Sequence, residues 1–260
     1  MPLPPPTDPD AAILVTGASS GIGEAIARDL RARGYDLILV ARRRDRLERL
    51  ARELGAEPIA ADLASDRSRA RVVRAVRGRI AGVVNNAGQA GFGDLVEHDP
   101  EREEAIFRTN ALALFDLTNR LVRDLVERGE GAVLNVGSIT AFAPFPHNAT
   151  YAATKAFVQS FSEALHEELS GTGVSCTVVS PGPTRTPIWE RSNGAALEGA
   201  GGPLLWQTAE QVARAAVDAM VAGRRTALPG LTNRAISLGF RLTPRTALLP
   251  FTRAVTKFAV

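Results

Sequence analysis

A chain of 260 residues with 45% hydrophobic and 23% charged content is long enough for one domain with a full core. A formal charge of only +3 and the lack of a basic stripe interleaved with aromatics argue against a nucleic-acid partner. The single cysteine, Cys176, cannot form an intrachain disulfide, and its apolar run VSCTVVS makes it a buried thiol of a reducing, cytoplasmic compartment.

Residues 1–10, MPLPPPTDPD, are proline-rich without an apolar segment, which predicts an extended, flexible tail rather than a signal peptide. From there, short β-branched runs alternate with amphipathic helices. AAILVTG (11–17) reads as a strand, followed by a helix from Gly21 to Arg33. YDLILVA (35–41) is a second strand, followed by an arginine-rich helix to Leu54. AEPIAAD (56–62) and IAGVVNNAG (80–88) are the third and fourth. A long helix over 101–128 leads to the strand GAVLNVGS (131–138), a helix carrying YAATK (151–155), and the strand GVSCTVVSPG (173–182). A helix near 208–222 and a last strand, RTALPG (225–230), close the series. Apolar strands separated by helices predict a single α/β domain with a doubly wound parallel sheet, Rossmann-like, over 11–230. No run reaches the roughly 18 apolar residues of a membrane span.

The first strand ends in TGASSGIG, with Gly17, Gly21 and Gly23. Glycines at a strand-to-helix turn let a pyrophosphate approach the helix N-terminus, where free N–H groups and the dipole favour an anion. Glycine also serves plain turns, but the flanking strand and helix are the context dinucleotide binding requires. In YAATK, Tyr151 and Lys155 lie four apart and share one helix face. Only two lysines occur among the 31 basic residues, so a lysine at this position is itself a signal.

These motifs, together with Asp62-Leu63, NNAG (85–88), Asn110, Ser138 and PGPTRT (181–186), occur in the order seen in the classical short-chain dehydrogenase/reductase family, which the chain resembles over about 11–230. The resemblance implies an oxidoreductase that moves hydride between a nicotinamide and a carbonyl or alcohol. It implies a catalytic tetrad of Asn110, Ser138, Tyr151 and Lys155. The cofactor would be held by Gly17, Ser19, Ser20, Gly21, Ile22, Gly23, Asp62, Leu63, Asn86, Ala87, Gly88, Tyr151, Lys155, Pro181, Gly182, Thr184 and Thr186. Tyr151 would be the general acid/base, its pKa of about 10 drawn down by the Lys155 ammonium. Lys155 would also bond the nicotinamide ribose, Ser138 the substrate oxygen, and Asn110 a relay water. Helix capping and a plain buried hydrogen bond are the ordinary readings of Ser138 and Asn110, set aside only because Tyr151 and Lys155 accompany them.

NAD-binding versions carry an acid near the end of the second strand. Here Ala41 is followed by Arg42, Arg43 and Arg44, so NADP(H) is favoured over NAD(H), with Arg42 and Arg43 on the ribose phosphate. The substrate loop, 187–207, holds both tryptophans in a glycine-rich, apolar context and predicts a hydrophobic substrate. His98, His147 and His166 have no metal-ligand spacing, so no metal is expected. A homodimer or homotetramer is implied. The alternatives are a non-enzymatic NADP-binding sensor or scaffold on the same fold, and an epimerase or dehydratase using the same tyrosine.

Residues 231–260 form a basic C-terminal extension with five basic and no acidic residues. Thr243-Pro244 reads as a helix start, with Leu248, Phe251, Val255 and Phe258 at helical spacing and Pro250 expected to kink or divide the helix. This face closes either the substrate pocket or a subunit interface, or it rests on an anionic membrane surface.

Overall fold

The computed structural model describes residues 3–5, 11–192, 194, 202 and 204–256. Strands β1 (Ala12–Thr16), β2 (Leu37–Ala41), β4 (Ile80–Asn85), β5 (Gly131–Val136) and β6 (Val174–Val179) are apolar almost throughout and nearly wholly buried. With β3 (Glu57–Ala60) and β9 (Thr226–Ala227) they form one parallel sheet in the order β3-β2-β1-β4-β5-β6-β9. The exposed β3 carries Pro58, which an edge strand tolerates because it need not donate on its outer side. The order in which strands are added reverses between β1 and β4, the switch point beside which open α/β sheets bind ligands.

Successive strand residues point to opposite faces, so each face has its own core. Ile13, Val15 and Leu39 pack against α1 (Gly21–Ala32), α2 (Arg44–Leu54) and α8 (Ala209–Val221). Leu14, Ile38 and Val40 pack against α3 (Asp66–Val76), α5 (Ala113–Arg128) and the end of α6 (Ala149–Glu168). Cys176 is a free thiol in this second core, where burial pushes it up to about 12. Leu3, in the segment expected to be a flexible tail, is buried in the first core.

On the face of the second core runs a polar chain. Asn85 and Asn135 face each other across β4 and β5, and Asn85 Nδ2 donates to Asn135 Oδ1 and to Thr118 Oγ1, each at 2.9 Å. Asn135 Nδ2 donates to Ser162 Oγ at 2.9 Å, which donates on to Val158 O. These bonds tie β4 and β5 to the helices that carry the site.

The expected strands and helices are present, with differences. The helix expected over 101–128 is α4 (Pro100–Phe107) and α5 joined by a π-helical turn, Arg108–Leu112, that contains Asn110. A short parallel pair, β7 (Thr184–Arg185) and β8 (Gln207–Thr208), clasps the two ends of the substrate loop, whose first turn is α7 (Ile188–Arg191). The C-terminal extension forms α9 (Leu231–Leu242) and α10 (Arg245–Thr256). Pro250 does not divide α10, because lacking one N–H removes a single bond while the helix continues on either side. Thr243 caps the end of α9, and Pro244 O accepts the N–H of Leu248 as the residue before α10. Phe258 and Lys257 lie outside the described residues.

Asn135→Ala is expected to lower unfolding stability by roughly 2–3 kcal/mol, since it strips partners from buried amide and hydroxyl groups. Urea unfolding should show an earlier midpoint with an unchanged slope. A midpoint equal to wild type would mean the chain adds nothing to stability.

Candidate active site

At the carboxyl ends of the strands lies a cavity of about 1330 Å³. All but two of the predicted site residues line it; Gly23 and Asn110 lie behind its wall. The glycine turn closes one end. Gly17 and Gly21 have φ of +66° and +60°, which glycine adopts without strain. Gly23 is required for another reason: a Cβ there would run into Asn86 Nδ2, which donates to Thr16 O at 3.0 Å and Gly17 O at 3.3 Å. Ser20 stands at the N-cap of α1 without capping it, so the first-turn N–H groups remain open to an anion.

Arginine dominates the charge at this end. Arg43 Nη2 donates to Ser19 Oγ at 2.9 Å and Ser20 Oγ at 2.7 Å, laying a guanidinium on the glycine turn. Arg42 is exposed and also lines the cavity. Asp62 Oδ1 accepts the Ala64 N–H at 3.1 Å, an Asx-type turn, while Ser65 caps α3. That turn is held from below by Arg69, which is buried and donates to Leu63 O at 2.9 Å and to Asp116 Oδ2 at 2.8 Å. Open N–H groups, free guanidiniums and no carboxylate at Ala41 suit a phosphate-bearing dinucleotide.

Ser138, Tyr151 and Lys155 meet at the middle of the cavity. Ser138 follows β5, its Oγ accepts the Thr140 N–H at 3.2 Å, and its side chain lines the cavity with the phenol of Tyr151. Lys155 is buried, its Nζ donating to Val136 O at 2.8 Å and lying 5.6 Å from the centroid of the Tyr151 ring. Burial lowers the Lys155 ammonium to about 8. Burial also raises the Tyr151 phenol above its ordinary value, and the Ser138 hydroxyl pulls it partly back. The expected downward pull of Lys155 on Tyr151 is therefore corrected: in this geometry desolvation wins, and the opposing group is Ser138.

Asn110 sits behind these three. Its Oδ1 accepts the Gln89 N–H at 2.8 Å, and its Nδ2 donates to Gln89 O at 2.8 Å and Thr154 Oγ1 at 3.2 Å. The side chain thus staples the end of β4 to α6. The π-turn around it breaks the regular backbone ladder, a feature frequent at functional sites. The histidines have local partners: Glu103 for His98, Asp94 for His147 and Cys176 O for His166.

The far end is apolar. Trp189 stacks on Phe92 with centroids 5.9 Å apart and lies 5.0 Å from Trp206. Opposite them α9 and α10 contribute Ile236, Phe240, Leu248 and Phe251. Phe240 meets Phe145 edge-on at 5.7 Å, and the Arg241 guanidinium lies 4.2 Å over Phe142. Asn233 of α9 packs directly on Gly182, where a Cβ would collide with it, and donates to Gln207 Oε1 at 3.1 Å. The extension is thus a wall of the cavity. Glu198 of the loop lies outside the described residues.

Comparison with known proteins places this geometry. A profile of the short chain dehydrogenase family matches residues 11–196. A sulfoacetaldehyde reductase of Chromohalobacter salexigens is 39% identical over 183 residues, 67% of this chain and 72% of that protein. An NADP-dependent 3-hydroxy acid dehydrogenase of Salmonella typhi is 37% identical over 177 residues, 65% of this chain and 71% of that protein. Among solved structures, a short-chain dehydrogenase from Sphingobium yanoikuyae in complex with NADPH superposes with a TM-score of 0.80 at 34% identity, covering 88% of this chain and 92% of its own.

A buried Lys155 has a consequence for pH. Its folded value of about 8 lies below the unfolded 10.5, so between the two the unfolded chain holds more protons and stability rises with pH. From pH 8 to 10 the wild type should gain on the order of 2 kcal/mol over Lys155→Met, read from urea unfolding at each pH. Parallel pH curves for the two proteins would show that the ammonium is not desolvated.

Proposed function

The chain belongs to the short-chain dehydrogenase family, and from that premise we propose that it transfers hydride between NADP(H) and a hydrophobic carbonyl or alcohol, with Tyr151 as the general acid/base. The observation that carries this reading is the shared cavity: Ser138, Tyr151 and Lys155 stand between an arginine-bearing glycine turn and an apolar end. In reduction, a bound nicotinamide supplies hydride to the carbonyl carbon. The carbonyl oxygen gains negative charge and takes the proton of the Tyr151 phenol, while the Ser138 hydroxyl holds that oxygen in place. Lys155, anchored on Val136 O, sits behind the phenol to bond the ribose and return a proton to Tyr151. A phenol is protonated at neutral pH and burial raises it further, which suits the reductive direction. With Ser138, Tyr151 and Lys155 in one cavity and Asn110 behind them, an enzyme is favoured over a sensor or scaffold.

Preference for NADP(H) rests on Ala41 in place of an acid and on the exposed Arg42 beside Arg43. The NADP(H) relatives point the same way. Asp62 would contact the adenine, and Thr184 and Thr186 the nicotinamide end. The substrate is an apolar ketone or secondary alcohol, since the walls around Tyr151 are tryptophan, phenylalanine, isoleucine and leucine. Cytoplasmic residence and a homodimer or homotetramer complete the proposal; exposed Phe107, Phe115 and Phe157 on α4, α5 and α6 give a second copy an apolar face to cover.

The outer side of α9 favours one further contact. Leu231, Leu238 and Leu242 recur at helical spacing and are exposed, Leu231 at 81%, near exposed Arg234 and Arg245. Apolar residues rimmed by cations suit peripheral contact with an anionic bilayer, from which apolar substrates would reach the cavity.

Two experiments test the proposal. Purified protein given NADPH and a panel of apolar ketones should oxidise NADPH, and Tyr151→Phe should lose ~10²–10⁴-fold in turnover while binding NADPH as before. A variant with full turnover removes Tyr151 from the chemistry. Co-sedimentation with anionic vesicles should be salt-sensitive and weakened by Leu238→Glu with Leu242→Glu. Absence of binding at low salt overturns the bilayer contact.

A further inference from the structure

Arg191 closes α7, in the segment assigned above to the substrate, yet it lies at the nucleotide end of the cavity. The start of this segment is packed on the glycine turn: a Cβ on Gly21 would stand 3.1 Å from Thr186 Cγ2 and 4.0 Å from Pro187 Cδ. Trp189 is fixed by its Nε1 donating to Thr184 O at 2.8 Å and by its stacking on Phe92. With both ends so held, Arg191 faces the same cavity as Arg42 and Arg43. Burial and then the charge of Arg191 are the leading causes that hold Arg43 below its ordinary value, ahead of Arg46 and Arg42.

Among the described residues no carboxylate forms an ion pair with Arg42, Arg43 or Arg191. Cations gathered after β2 and from α7 repel one another, and Glu24, the one carboxylate acting on Arg43, is outweighed by Arg191, Arg46 and Arg42. The ordinary role of an arginine at a helix end is to favour the dipole, but a helix of four residues offers little of it. A phosphate set among the three would remove the repulsion and meet the open N–H groups of α1. Resting on the reading that a dinucleotide occupies this cavity, we infer that Arg191 is a ligand for a nucleotide phosphate and ties α7, with its Trp189, to the cofactor.

The protein carries its own reporter, because its two tryptophans are Trp189 and Trp206, both in this segment. Tryptophan emission is followed during titration of wild type, Arg191→Ala and Arg191→Lys with NADP⁺, NAD⁺ and 2′,5′-ADP. Wild type should change emission on binding NADP⁺. Arg191→Ala should bind it about 10- to 100-fold more weakly, with a smaller emission change and a shallower salt dependence, and Arg191→Lys should fall between. Equal losses for NADP⁺ and NAD⁺ identify the pyrophosphate as the ligand; losses confined to NADP⁺ and 2′,5′-ADP identify the ribose phosphate. An Arg191→Ala variant with wild-type affinity, emission change and salt dependence overturns the inference. Failure of wild type to bind any of the three ligands overturns the dinucleotide reading, and this inference with it.

Discussion

One side chain at the switch point sets the terms for the rest. Asn86, just past β4, donates to the carbonyls of Thr16 and Gly17 at the end of β1. Its backbone N–H, with that of Ala87, goes to Thr16 Oγ1. The two strands whose divergence opens the crevice are thereby joined at its floor. That lock leaves no room for a Cβ at Gly17 or Gly23, so the turn must be glycine-rich whatever it binds. The glycine motif therefore answers two demands: close packing beneath the turn, and free N–H groups above it. Only Gly21, beside Thr186, turns its open side toward the substrate segment.

A second constraint is dryness. Lys155 and Asn110 are almost fully buried, and Tyr151, half-buried, lines the cavity beside Lys155. A buried ammonium is tolerated because Val136 O accepts from it and the tyrosine ring lies beside it, yet its pKa still falls to about 8. The same desolvation raises the phenol above its ordinary value. Burial here costs stability and supplies a function, and the polar chain through Asn85, Asn135 and Ser162 is part of what offsets the cost.

Motifs that act through local geometry were legible in the sequence. TGASSGIG and YAATK each lie within one turn or one helix, where spacing alone decides which way side chains face. The parallel sheet followed from apolar runs alternating with amphipathic helices. What spacing could not show was which of many arginines meets which partner. Arg69 supports the Asp62 turn through Asp116 of α5, and Arg43 lies on serines more than twenty residues earlier. The π-turn at Asn110 was equally hidden, since it is set by backbone bonds that no residue type in RTNAL announces.

The C-terminal extension shows how the two ends of the cavity divide the work of recognition. Its arginines were conspicuous in the sequence, and they drew attention to an anionic surface. In the fold its aromatic and aliphatic side chains matter as much, because Ile236, Phe240, Leu248 and Phe251 turn inward beside Tyr151. Asn233 explains why the segment sits there at all: it bonds Gln207, at the end of the substrate loop, and packs on Gly182 of the PGPTRT turn. The extension is therefore registered to the cofactor end through Gly182 and to the substrate loop through Gln207. A wall anchored on both elements senses their relative position. On the proposed reaction, selectivity for substrate shape would reside in residues beyond the sheet, while the sheet and its glycine turn would fix where the proton and hydride are delivered.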